Sequence, residues 1–241
     1  MISEAHIVPY KTEPLPVEEG PWLVFAPHAD DESFGMGGTL AKATAAGIQV
    51  ELVIMTDGAL GGNQDDLVAI RKEEAIAAAS LLSINPPVFL ANKDRELGID
   101  EKSSGQVKAE IQRVNPAAVF FPGPFELHPD HRVTALLVWN ALQELQSQAT
   151  PVSYEILVQS PVNTLVDITN LVELKASAMS VYKSQIDENR YESIALAMNQ
   201  LRSLTLPAEI SHAEGFYRFS PKDLQKTLSE IVVGKISSFF I

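Results

Sequence analysis

Residues 22–47 read WLVFAPHADDESFGMGGTLAKATAAG, and this stretch decides the fold. The apolar run WLVFAPH (22–28) is typical of a buried strand that ends in polar residues. The small-residue segment GGTLAKATAAG (37–47) is typical of a helix that ends at Gly47. A strand that leads directly into a helix predicts the first half of a β-α-β unit.

The alternation of strands and helices continues along the chain. The sequence predicts strands at 49–58, 87–92, 117–123 and 152–160, and helices at 65–82, 102–115 and 131–148. Strands that alternate with helices of this length predict an α/β fold, specifically a Rossmann-like three-layer sandwich with a mostly parallel central sheet. The pattern leaves the order of the strands open.

The flanks of this alternating region differ from it. Residues 1–21 are rich in proline and glutamate, which predicts an N-terminal arm, and residues 22–241 are expected to form a single domain. After residue 160 we expect a strand at 163–169 and two helices at 171–185 and 190–204. A short edge strand at 214–220 and a last helix at 221–236 complete the prediction.

Composition excludes several classes of protein. The chain has 241 residues, no cysteine and a formal net charge of −13, from 18 Lys+Arg and 31 Asp+Glu. Without cysteine, any metal must be bound by His, Asp or Glu. The acidic charge disfavours nucleic acid as a partner. No apolar stretch reaches the roughly 20 residues of a membrane span, so we expect a cytoplasmic protein. The apolar end IVVGKISSFFI is interpreted as core or as an interface of a possible homo-oligomer.

Chemistry-bearing side chains follow the strands at their carboxyl ends, where open parallel sheets bind ligands. His28 and Asp31 follow the first strand, and the pair His128 and His131 follows the fourth. Two imidazoles and a carboxylate make a three-ligand metal site with positions left for water and a substrate oxygen. Asp30 lies beside this set and could accept the proton of a water that the metal activates. The pattern predicts hydrolysis of an amide or an ester.

Each segment alone also has a purely structural interpretation. A histidine before a helix is commonly a surface or capping residue, and the acidic residues 30–32 could complement a helix N-terminus. The location of both segments on one rim of the predicted sheet favours the metal site.

PHADDE (27–32), followed by FGMGGTLAKATAAG and later by HPDHR (128–132), resembles the LmbE-like, or PIG-L, family of zinc-dependent deacetylases. RKEEAIAAASLL (71–82) and VYKSQ (181–185) extend the resemblance. The family includes de-N-acetylases of N-acetylglucosaminyl-phosphatidylinositol, N-acetylglucosaminyl-inositol and N-acetylglucosaminyl-malate. The resemblance implies a metal-dependent hydrolase that removes an N-acetyl group from an N-acetylglucosamine-containing small molecule or glycoconjugate.

The resemblance also implies roles for individual residues. His28, Asp31 and His131 match the metal ligands, and Asp30 matches the general base. The implied cofactor is Zn²⁺, and Fe²⁺ also suits a site of two histidines and one aspartate.

Four further residues match positions around the reacting groups. His128 matches a residue that steadies the oxyanion or protonates the leaving amine, with Asp130 as its orienting partner. Arg71 and Asp94 match positions that contact the substrate, and an arginine can bind a carboxylate or phosphate with two parallel hydrogen bonds. An arginine on a helix is otherwise a solvated surface residue.

Two departures from the family pattern stand out. Ala29 replaces a proline that is usual in the first motif, which removes no functional group. Glu126 stands where some members carry a tyrosine thought to assist the transition state, so a tyrosine-assisted mechanism does not transfer. His212, with Glu214, is expected either to line the site or to be an exposed histidine before a strand.

Two other functions remain as alternatives. One is a non-catalytic sugar-binding or assembly protein of the same fold. The other is a non-haem iron oxygenase that uses the same three ligands, although the β-α alternation disfavours it because such sites are usually built in β-sandwiches.

Overall fold

The computed structural model describes residues 10–186 and 190–238. Its centre is one sheet of eight strands. They are β1 (Lys11–Thr12), β2 (Trp22–Ala26), β3 (Val50–Thr56), β4 (Val88–Asn92), β5 (Ala118–Pro122), β6 (Thr150–Tyr154), β7 (Thr164–Asp167) and β8 (Ala213–Arg218). Their order across the sheet is β1-β7-β8-β6-β5-β2-β3-β4, and every neighbouring pair is parallel except the two pairs that include β8.

Helices connect these strands. They are α1 (Asp31–Ala45), α2 (Leu67–Leu81), α3 (Glu101–Val114), α4 (Pro129–Glu144), α5 (Val172–Met179), α6 (Lys183–Ile186), α7 (Tyr191–Arg202) and α8 (Leu228–Ser238), with short 3₁₀ turns at Thr169–Leu171 and Asp223–Gln225. Among the described residues, no helix combines the length and the apolar character that a membrane crossing needs.

The helices form a layer on each face of the sheet, which confirms the predicted three-layer sandwich. Along β2, Trp22, Val24 and Ala26 contribute to one apolar core, and Leu23 and Phe25 contribute to the other. The first core contains residues of α1, α2 and α5, and the second contains residues of α3, α4 and α8. This division follows from the two-residue period of a strand, whose side chains point alternately to opposite faces.

Two expectations about strands are wrong. The segment around β8 is not an edge strand, because β8 lies between β6 and β7 and is antiparallel to both. The strand expected at 152–160 ends at Tyr154. The backbone N–H groups of Ile156, Leu157 and Ser160 donate instead to glutamate side chains, so this segment is a loop.

The first helix begins at Asp31, six residues before its predicted start. It contains a break at Met36, where φ is −143° and ψ is 21°. A β-carbon on Gly35 would lie 2.5 Å from the carbonyl oxygen of Glu155 and 2.6 Å from the ring of Tyr154. Only glycine permits this approach, so the GMGG segment lets the first helix pack close to the end of β6.

The helix expected at 171–185 is two helices, α5 and α6, because the chain turns at 180–182. The last helix, expected at 221–236, begins only at Leu228. Lys11 and Thr12 of the predicted arm pair in parallel with β7 and so extend the sheet at its edge. His6 lies outside the described residues.

A fully buried ion pair joins three elements behind the site. Lys175 of α5 donates to Glu214 of β8 at 2.7 Å, and both side chains are wholly buried. The same carboxylate accepts the backbone N–H groups of Gly38 and Thr39 at 2.9 and 2.7 Å, just after the break in α1. After the break, the first N–H groups of the continuing helix have no carbonyl acceptor within the helix, and the carboxylate of Glu214 accepts them instead.

Glu214→Ala is expected to lower the free energy of unfolding by about 3–5 kcal/mol, because it leaves the ammonium of Lys175 buried without its counter-ion. Urea denaturation followed by circular dichroism measures this loss. Glu96→Ala is the matched control, since its ion pair with Lys93 is solvent-exposed and is worth less than about 1 kcal/mol. Equal small losses in the two variants would contradict this role of the buried pair.

Candidate active site

The residues that the sequence singles out meet at the carboxyl ends of the strands. His28, Asp30 and Asp31 follow β2, and Asp94 follows β4. The HPDH segment (128–131) follows β5 and forms the cap and first residues of α4. They border a cavity of about 320 Å³, within the range of small-molecule sites. Of the eight predicted site residues, seven line this cavity: His28, Asp30, Asp31, Arg71, Asp94, His128 and His131. The eighth, Asp130, is buried behind His28.

The Asp31 carboxylate bridges two imidazoles. Its Oδ2 lies 3.1 Å from Nδ1 of His28 and 3.3 Å from Nε2 of His131. Ligand atoms bound about 2.0–2.1 Å from one tetrahedral ion are separated by about 3.3–3.4 Å. Each of these two oxygen–nitrogen distances is close to the spacing of two ligands on one ion.

A second carboxylate faces the outer nitrogen of each of these imidazoles. Nε2 of His28 lies 3.2 Å from Oδ2 of Asp130 and 3.3 Å from Oδ1 of Asp94. Nδ1 of His131 lies 3.5 Å from Oε2 of Glu126. Histidine ligands commonly have this environment, because a carboxylate that accepts the outer N–H fixes the tautomer and the ring orientation.

Other combinations of donor atoms also come close together. His28, His128 and His131 can place one nitrogen each within 4.8 Å of one another, and so can the donor atoms of His28, Asp94, His128 and Asp130. His28 is common to both groups. Neither group contains Asp31, so the geometry offers His128 as a competitor of Asp31 for a place among the ligands.

Charge in this cluster favours a cation. Burial disfavours the charged form of Asp31, but the His131 and His28 rings outweigh that effect and hold its pKa well below the usual range. Burial likewise disfavours a charged His131, yet mainly Asp31 raises its pKa to about 9. The pKa of His28 is also raised, against burial, by Asp130, Asp31 and Asp94. Protons and metal ions compete for such nitrogens, so the cluster holds positive charge in either form.

Asp30 has an unusual backbone conformation directly before α1. Its φ is 148° and its ψ is −31°, and its side chain makes no capping hydrogen bond, so the capping interpretation fails for Asp30. Burial raises the pKa of its carboxyl group to about 7, although Arg71 acts in the opposite direction. Strained residues of this kind are concentrated at functional sites, where the surrounding structure holds them.

His128, in contrast, does cap a helix. Its Nδ1 accepts the backbone N–H of Asp130 at 3.2 Å at the start of α4. Burial, followed by the nearby His28 and His131 rings, lowers its pKa. The neutral ring with an accepting Nδ1 carries its proton on Nε2, and His128 lines the cavity.

Arg71 and Asp94 occupy the cavity wall, but each already has partners. Arg71 is 3% exposed, and its terminal nitrogens contact the carbonyl oxygens of Gly58 and Ala29 and the carboxylate of Asp30 at 3.4, 3.0 and 3.3 Å. Asp94 accepts the backbone N–H of Leu60 at 2.9 Å. Burial opposes ionisation of Asp94, but His28 outweighs it and lowers the pKa to about 2.

Comparison with known proteins identifies the domain that holds this site. Residues 23–142 match the family described as PIG-L, GlcNAc-PI de-N-acetylase. The chain carries a PIG-L, or LmbE-like, domain. This result confirms the resemblance carried by PHADDE (27–32) and HPDHR (128–132), both of which lie inside the matched range.

Relatives of this chain include one protein named as a sugar deacetylase and one named as a probable sugar deacetylase. The chain is 29% identical over 192 residues to a diacetylchitobiose deacetylase of Thermococcus kodakarensis, covering 70% of this chain and 72% of that protein. It is 28% identical over 184 residues to a probable N-acetyl-α-D-glucosaminyl L-malate deacetylase 2 of Bacillus anthracis, covering 68% and 80%. Among solved structures, the N,N′-diacetylchitobiose deacetylase of Pyrococcus horikoshii superposes with a TM-score of 0.79 at 26% identity, over 93% of this chain and 92% of the other.

The motif VYKSQ of the PIG-L protein links the other motifs. The Tyr182 hydroxyl donates to Glu32 at 2.6 Å, which gives Glu32 a structural role. Ser184 donates to Glu74 of the RKEE segment through both its backbone N–H and its hydroxyl, at 2.9 and 2.6 Å. Gln185 donates to the carbonyl of Gly61 at the cavity. VYKSQ therefore contacts both the PHADDE and the RKEE segments.

Sequence reasoning missed part of the cavity wall. Arg95 lines the cavity, and its backbone N–H donates to Asp130 at 2.8 Å. Tyr191 and Ile194 of α7 form an apolar side of the same cavity. The position of Arg95 after a strand could have indicated the rim, but no local motif marks α7. His212 and Glu214 do not line the cavity. Glu214 instead accepts a hydrogen bond from Lys175.

Proposed function

We propose that this protein is a metal-dependent N-deacetylase that hydrolyses the acetamide of an N-acetylglucosamine-containing glycoside. The observation that carries the proposal is the position of Asp31 Oδ2, between His28 Nδ1 and His131 Nε2 at 3.1 and 3.3 Å. The deacetylases among the relatives, which act on diacetylchitobiose and on an N-acetylglucosaminyl malate by name, support this chemistry.

His28, Asp31 and His131 would hold the metal. We propose Zn²⁺, because two imidazoles and a carboxylate are a common catalytic zinc set, and Fe²⁺ fits the same donors. When bound, such an ion lowers the pKa of water and polarises a carbonyl oxygen. The carboxylates behind both imidazoles support this ligand set, because they can accept the outer N–H of each ring.

Asp30 would act as the general base. It is adjacent to the ligand Asp31, borders the cavity and contacts Arg71 at 3.3 Å. We propose that Arg71 positions Asp30, because both terminal nitrogens of the guanidinium are already engaged. Asp30 would take a proton from the attacking water and could deliver it to the departing amine.

His128 would stabilise the oxyanion that develops on the acetyl carbonyl. Its Nδ1 accepts a backbone N–H, so the Nε2 proton of the neutral ring remains available for donation. Such a donor acts most strongly when it is fixed before the reaction. The capping contact with the backbone of Asp130 provides this fixation.

His128→Gln is expected to lower kcat by about a hundredfold, because one donor to the oxyanion is lost, and to leave one equivalent of metal bound. Amine release and metal analysis on the same preparation measure both quantities. His212→Gln, which alters a histidine away from the cavity, is the control and should match the wild type. Loss of the metal in His128→Gln would instead assign His128 to the ligand set in place of Asp31.

The substrate would bind between the histidines and aspartates of the cavity and its apolar side, which Tyr191 and Ile194 form. Asp94 remains our candidate for contact with the sugar, since it lines the cavity beside His28. Tyr191 and Ile194 would face the group attached to the sugar. This part of the wall lies outside the matched PIG-L range, so it is where the identity of the attached group would be determined.

The proposal is tested by amine release from a panel of N-acetylglucosaminides that includes N,N′-diacetylchitobiose and N-acetylglucosaminyl malate, with and without a chelator. Chelator-sensitive release is expected from at least one member. Sugar binding without release, unchanged by Asp30→Asn, would support the non-catalytic alternative. Turnover that requires O₂ would support the oxygenase alternative.

A further inference from the structure

Glu126 occupies a buried position that the proposed reaction does not use. Its side chain is wholly buried, and it precedes the catalytic candidate His128 by two residues. Three consecutive backbone N–H groups of the loop after β6 surround its carboxylate. Those of Ile156, Leu157 and Val158 lie 2.8, 3.1 and 3.4 Å from Oε1.

The other carboxylate oxygen faces a ring nitrogen of a proposed metal ligand. Oε2 of Glu126 lies 3.5 Å from Nδ1 of His131. That nitrogen is buried and has no hydrogen-bond partner among the described residues. The opposite nitrogen of the ring, Nε2, faces Asp31 at 3.3 Å. The imidazole therefore lies between one carboxylate at the metal position and another behind it.

We propose that Glu126 is a positioning residue that fixes the tautomer and orientation of His131 for metal binding. If Nε2 is to bind a metal, the ring proton must be on Nδ1, and a buried N–H requires an acceptor. A small approach of the two groups would bring Oε2 into hydrogen-bonding distance. This inference rests on the proposed function, in which His131 is a ligand.

The loop holds the carboxylate in the orientation that this role needs. The N–H of Leu157 also donates to Oε2, at 3.1 Å, which leaves one lone pair of Oε2 to face His131. Ile156 and Leu157 also line the cavity. Glu126 therefore connects one wall of the substrate cavity to the proposed metal ligand.

Glutamine at position 126 cannot satisfy both neighbours. If its amide oxygen faces His131, its NH₂ group meets the N–H groups of residues 156–158. If its oxygen faces the loop, its NH₂ group donates to Nδ1 of His131. The second arrangement leaves the ring proton on Nε2, where it blocks metal binding.

The test compares the Zn²⁺ affinities of the wild type, Glu126→Gln and Glu155→Gln by competition with a chromophoric chelator. Glu155 is the matched control because it holds the same loop, through the N–H of Ser160 and a contact with Arg202, but faces no proposed ligand. We expect Glu126→Gln to weaken Zn²⁺ binding by about 10- to 100-fold. Glu155→Gln should lower Tm and leave the affinity for Zn²⁺ unchanged.

Equal Zn²⁺ affinity in the wild type and in Glu126→Gln would overturn the inference, and so would equal weakening in both variants, which would indicate a general loop effect. A wild type that binds no Zn²⁺ would instead refute the proposed function itself. If Glu126→Gln does not fold, Glu126→Asp serves as the second variant. It keeps the charge but shortens the side chain by one methylene, so weaker Zn²⁺ binding is again expected and an unchanged affinity would overturn the inference.

Discussion

Asp30→Asn is expected to lower kcat for amine release by at least about a hundredfold and by up to about 10⁴-fold, the range for a general base. Asparagine has nearly the same shape but cannot accept the proton of the attacking water. Because Asp30 borders the proposed ligands without being one of them, the bound metal should remain at about one equivalent. Steady-state kinetics and metal analysis of the same sample measure both effects.

Asp65→Asn is the matched control for this substitution. Asp65 is exposed in the segment before α2, so its variant should keep wild-type turnover. Turnover of Asp30→Asn at the wild-type rate would refute the assignment of the base. Loss of metal together with activity would mean that Asp30 is itself a ligand.

Asp31→Asn is expected to abolish stoichiometric metal binding and, with it, activity. Its Oδ2 is the atom that both imidazoles face, and an amide oxygen is neutral and therefore a much weaker ligand for Zn²⁺ than a carboxylate oxygen. The metal-to-protein ratio after gel filtration should fall from about one to near zero. His131→Ala should give the same result. The same loss of metal in two different variants would argue that the loss is not caused by misfolding of one of them.

Asp30→Asn and Asp31→Asn each serve as the control for the other, because the two residues are neighbours with similar burial. We expect one variant to keep the metal and the other to lose it. An unchanged ratio in Asp31→Asn would remove this residue from the ligand set. The donor group of His28, His128 and His131 would then become the preferred metal site.

Periodicity and strand ends predicted much of the fold and of the site. The apolar run at 22–28 and the HPDH segment lie a hundred residues apart, yet parallel strands bring their carboxyl ends to one edge. This explains why His28 and His131 meet at Asp31 without any local signal between them. The apolar run of β2 indicated a buried strand, and its side chains contribute to both cores.

The remaining features depend on long-range contacts that no local pattern encodes. The segment 214–220 looks like an edge strand because it is short, but its pairing partners β6 and β7 were set by tertiary packing. The sequence marks Glu126 as a departure from the family pattern but does not reveal its contacts, because its partners, the N–H groups of 156–158, lie about thirty residues later. Tyr191 is the first residue of α7 and reaches the cavity through the packing of α7 against α1.

The most direct test of the account is reconstitution of the metal-free protein. The wild type, stripped with a chelator, is titrated with Zn²⁺ while amine release from the best N-acetylglucosaminide is measured. We predict no release before addition, and activity that rises to a plateau at about one equivalent of metal. Asp30→Asn should bind the same equivalent and stay nearly inactive. Full amine release by the stripped wild-type protein would contradict a metal-dependent deacetylase.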